Sequence, residues 1–169
     1  GTSIVPGDFT VDGVTPAAAE VQSKLETSVF LTLATDMLPD AKPKVALVAA
    51  IADKAGNTKT SIAAVTGSDK IAPTFTVSAD KTLTNKGIVI TITSNEPISG
   101  NLPTVNLYKK GVSTTVEKAM PVVVTGTNAW KSEVKTALNV ANEVMTIHVE
   151  GRDLSQNIGE KGKKDSSVV

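Results

Sequence analysis

The chain contains no cysteine, which excludes disulfide staples, thiolate nucleophiles and Cys-ligated zinc. Aromatics make up only 3% of the 169 residues, so a core must be built from Val, Ile, Leu and Ala. There is a single histidine, and no site can draw on a pair of imidazoles. Net charge is also missing: Lys plus Arg and Asp plus Glu stand at 17 each. That balance gives no electrostatic case for nucleic acid or an anionic membrane as partner. No apolar run approaches the roughly 20 residues that cross a bilayer, so membrane insertion is not expected. The opening Gly1-Thr-Ser-Ile-Val-Pro-Gly lacks the basic and apolar segments of a secretory signal and begins without Met. The chain therefore reads as a piece of something longer.

What is present is a strand former's composition. Hydrophobic residues reach 40%, enough for a packed core. Val, Thr and Ile recur at a period of two, the spacing of a half-buried strand. Two stretches organise the rest: Val45 to Asn57 and Met145 to Asn157. Each is an alternating apolar run that ends in Asp-x-x-[Gly/Gln]-Asn, a turn signal. Asp53 and Asp153, like Asn57 and Asn157, sit one hundred residues apart, about the length of one β-sandwich module. The expectation is an all-β tandem of immunoglobulin-like β-sandwich modules over residues 1–70 and 71–169, divided in the turn-rich Thr66 to Pro73.

Further strands are expected over Asp8-Phe-Thr-Val-Asp12-Gly13, closed by its Asp-Gly, and at Ser28–Leu33, Lys59–Val65, Thr74–Ser78, Ile88–Thr93, Pro103–Tyr108, Val112–Val116, Pro121–Thr125 and Ala129–Val134. The tail from Lys161 reads as a last edge strand. Thr15-Pro16-Ala-Ala-Ala has some helical character, but an irregular strand is favoured, since Val21 to Leu33 resumes strand character. The copies differ at their start. Ile4–Val11 matches Ile98–Val105, so the first module lacks its two opening strands. That leaves an unpaired edge and an uncovered apolar face, a template for another chain. Self-association through Val29, Leu31, Leu33 and Val45 is expected, alongside contacts with other modules of the same protein or neighbouring chains.

The Val-rich strand followed by Asp53-Lys-Ala-Gly-Asn57, and the leading segment Asp69-Lys-Ile-Ala-Pro73-Thr-Phe75, resemble the immunoglobulin-like repeats of prokaryotic surface-layer proteins and adhesins. The run Val29–Leu33 followed by Pro39 to Pro43 fits the same pattern. The resemblance implies an extracellular, cell-surface location and a structural or adhesive role without catalysis. In the second copy Gln156 stands where the pattern has Gly, so that turn adopts a different backbone or carries strain.

Candidate sites are few. Asp53, Asp69 and Asp153, with Asp36 and Asp40 beside them, could offer oxygens to calcium, which wants several carboxylate or carbonyl ligands. Asp and Asn in turns also bond their own backbone. His148 lies on the strand face opposite Ile147 and Val149, and a zinc site built on it would need two or three more ligands. No nucleophile and base share a spacing that assembles a catalytic site. Trp130 and Tyr108 could form a sugar platform, with core packing as the plainer role. The function expected is that of a non-catalytic spacer of a large surface protein. The alternative is a carbohydrate- or protein-binding module acting through loops at one end of the sandwich.

Overall fold

Antiparallel strands account for the regular structure, as the β-branched alternation requires. The computed structural model describes residues 4–22, 28–80, 88–109, 118–134 and 145–162. The chain divides between Asp69 and Lys70 into two units.

In the first unit a 3-10 turn, Pro6–Asp8, is closed by the Asp8 carboxylate, which accepts the Val5 N–H at 2.9 Å. It leads into β1 (Phe9–Val11), followed by β2 (Ala18–Val21), β3 (Val29–Thr32), β4 (Lys44–Leu47), β5 (Ile51–Ala52), β6 (Thr58–Lys59) and β7 (Ile62–Thr66). β1, β4 and β7 form a sheet in the order β1-β4-β7, while β2 pairs with β3 and β5 with β6. The Ala-rich stretch is thus a strand, not a helical turn, because pairing with β3 overrides local propensity. The organising run Val45 to Ala52 is also not one strand. It breaks after Leu47, where the Val48 and Ala49 N–H groups both turn to the Asp8 carbonyl, at 2.8 and 3.4 Å. Among the described residues, the buried hydrophobics of this unit are Val11 and Leu47.

The second unit contains β8 (Phe75–Ala79), β9 (Ile88–Ser94), β10 (Thr104–Lys109), β11 (Lys118–Ala119), β12 (Val122–Gly126), β13 (Ala129–Val134), β14 (Met145–Arg152) and β15 (Ile158–Lys161). They form two four-stranded sheets, β12-β13-β9-β8 and β11-β10-β14-β15. The sheets meet through one apolar cluster. Phe75, Ile90, Ile92 and Trp130 come from the first, and Val105, Leu107, Ile147 and Val149 from the second. Ile98 and Met120 join the cluster from the connections. This is a sandwich-like architecture in which alternate residues face inward. The strand expected at Val112–Val116 and the tail beyond Gly162 lie outside the described residues.

Each unit carries a ladder of the same register. Ile51 pairs with Lys59 and Ala52 with Thr58; Gly151 pairs with Gly159 and Arg152 with Ile158. The register is the same at a spacing of one hundred residues. Phe9 lies opposite Leu47 and Leu107 opposite Ile147, and a 3-10 turn follows Val5 in one unit and Ile98 in the other, at Pro6–Asp8 and Ser99–Asn101.

Candidate functional site

The duplicated turn is the best-defined polar feature of each unit. In the first, Asp53 Oδ1 accepts the N–H groups of Ala55 at 2.9 Å and Asn57 at 2.8 Å, and Asn57 Nδ2 donates to Asp53 Oδ2 at 2.8 Å. In the second, Asp153 Oδ1 accepts from Ser155 at 2.7 Å and Asn157 at 2.9 Å, and Asn157 Nδ2 donates to Asp153 Oδ2 at 2.7 Å. The backbone repeats as well: Asp53 N–H donates to the Asn57 carbonyl and Asp153 N–H to the Asn157 carbonyl. Gly56 has φ 88° and Gln156 φ 69°. The second copy therefore keeps the left-handed backbone without glycine, at a cost of about 1 kcal/mol. These hydrogen bonds to the charged form hold the Asp53 carboxyl below the usual carboxylate range, the Asn57 side chain contributing most.

The surroundings of the two turns differ. Asp53 is exposed and, among the described residues, belongs to no group of converging metal-ligand side chains. Asp153 is 1% exposed and pairs through its backbone with Ile98. Asn157 Nδ2 reaches the Ile71 carbonyl at 3.2 Å, tying the turn to the segment that leads into β8. Asp69, the residue at which the chain divides, and Glu96, just after β9, are 4% and 3% exposed. Asp69 closes the first unit, whereas Glu96 and Asp153 lie in the second. Of the expected calcium candidates, Asp69 and Asp153 are buried, while Asp53, Asp36 and Asp40 are exposed.

A group of side chains within the second unit consists of His148, Glu150 and Glu160, whose ligand atoms lie within 4.8 Å of one another. His148 is buried at 2% exposure and meets Tyr108 edge to face, with ring centroids 6.1 Å apart. Glu160 could have been anticipated: continuing the ladder outward from Arg152 and Ile158 sets Glu150 opposite Glu160.

Trp130 is buried, and its Nε1–H donates to the Asn101 carbonyl at 2.7 Å. Tyr108 is buried too. Neither presents a face to solvent, so the sugar platform is replaced by core packing. No helix among the described residues is long and apolar enough to cross a membrane. No family model, curated protein or solved structure matches the chain.

Proposed function

We propose that this chain is a non-catalytic structural segment of a large prokaryotic cell-surface protein, a surface-layer or adhesin-stalk component built from tandem immunoglobulin-like modules. The observation that carries the reading is the repetition of the Asp53–Asn57 turn at Asp153–Asn157, bond for bond and on ladders of equal register. Duplication of a strand-turn unit is how a chain grows by addition of similar modules, and modular growth serves reach better than chemistry. The interior positions of Trp130 and Tyr108 remove the aromatic pair on which a sugar-binding reading would draw.

The partners in this reading are other modules of the same kind and neighbouring copies. β7 is an edge strand that exposes Ile62 and Val65, and such an edge invites pairing. An antibody raised against the chain tests the location. It is expected to decorate intact source cells, and labelling only after permeabilisation would overturn the reading.

A further inference from the structure

We infer that His148, Glu150 and Glu160 form a binding site for one divalent first-row transition ion of the zinc class. The three residues are placed by a single ladder. His148 and Glu150 are two positions apart on β14 and share a face. Glu160 on β15 stands directly opposite Glu150. Two carboxylates in that relation repel across the strands, so the pair calls for a positive charge between them. The imidazole completes the triangle, its ring set edge-on against Tyr108.

The one short separation in the group is compatible with two ligands of a single ion. His148 Nε2 lies 3.5 Å from Glu160 Oε2, beyond the roughly 2.7–3.2 Å of a good hydrogen bond. Two ligands of a tetrahedral zinc ion, each about 2.0–2.1 Å from the metal, stand about 3.3 Å apart. One imidazole with two carboxylates is a donor set for zinc-class ions, and its two negative charges balance a dication. Exposed Glu160 leaves a path from solvent. Three protein ligands leave one position for water.

The test uses the tag-free full chain, stripped with chelator and titrated with Zn²⁺ by calorimetry, with Co²⁺ as an absorbing substitute. One ion is expected to bind, with a shift of the His148 ring resonances and visible Co²⁺ bands. Glu160→Gln, at an exposed position that leaves the fold intact, is expected to weaken Zn²⁺ binding at least about tenfold. His148→Gln is expected to abolish the Co²⁺ bands. Absence of Zn²⁺ binding overturns the inference. So does binding that leaves the His148 resonances unmoved, or binding that Glu160→Gln does not weaken.

Discussion

Gly151 stands directly opposite Gly159 on the β14–β15 ladder, and neither position has room for a methyl group. A Cβ on Gly151 would lie 2.8 Å from the Phe75 ring and 3.2 Å from Ile98 Cγ2, and one on Gly159 would run into the Pro73 carbonyl. In the first unit the corresponding opposed pair is Ile51 and Lys59. The two ladders share a register but not what lies over them. In the second unit the leading segment around Pro73 presses onto the ladder, and glycine is the residue that admits it.

Gly159→Ala is therefore expected to destabilise the second unit by about 3 kcal/mol, because the obstacle is backbone and cannot rotate away. Lys59→Ala, at the matching position, is expected to change stability by less than about 0.5 kcal/mol. Urea denaturation of both variants checks the contrast.

Trp130→Ala is expected to cost about 3–5 kcal/mol, as it empties the core between the sheets and strands the Asn101 carbonyl. Wild-type Trp130 fluorescence should be blue-shifted and shielded from soluble quenchers. Emission typical of a solvated indole would contradict its placement.

The duplicated aspartates should part company. Asp153→Ala removes a buried acceptor of three hydrogen bonds and is expected to cost more than about 2 kcal/mol, whereas Asp53→Ala, at an exposed turn, costs much less. Asp53 also sets a pH dependence. Its folded carboxyl is held below the unfolded value, so its contribution is present above the unfolded pKa and is lost as pH falls through the folded one. Carboxyl NMR titration of Asp53 should give a midpoint below that of an unstructured aspartate.

Much of the strand pattern was legible because it is local. The alternation Ile88-Val-Ile-Thr-Ile predicted β9, and Ile90 and Ile92 are fully buried. The Asp-x-x-x-Asn turns were legible because their hydrogen bonds close within five residues. What escaped depends on distant partners. The break after Leu47 comes from the Asp8 carbonyl. Burial of His148 was likewise invisible, since alternation assigns a face and not what covers it.

The expectation of calcium at Asp53, Asp69 and Asp153 is checked by thermal melts with calcium and with chelator. Bound calcium would raise the melting temperature. An identical melt in chelator and in calcium would dismiss the ion.

Exposed apolar side chains in the first unit, Phe30 at 60% and Val65 at 61%, lead to an expectation of concentration-dependent association. Val65→Lys should reduce it, since charge blunts a strand edge. Light scattering that finds a strict monomer at high concentration would count against it.

The central claim is that each copy of the strand-turn unit organises its own β module. Expression of residues 68–169 alone tests it most directly. The claim predicts a well-dispersed amide NMR spectrum in which β8 to β15 keep the chemical shifts they have in the full chain, with cooperative unfolding. A collapsed, poorly dispersed spectrum of that fragment would contradict it.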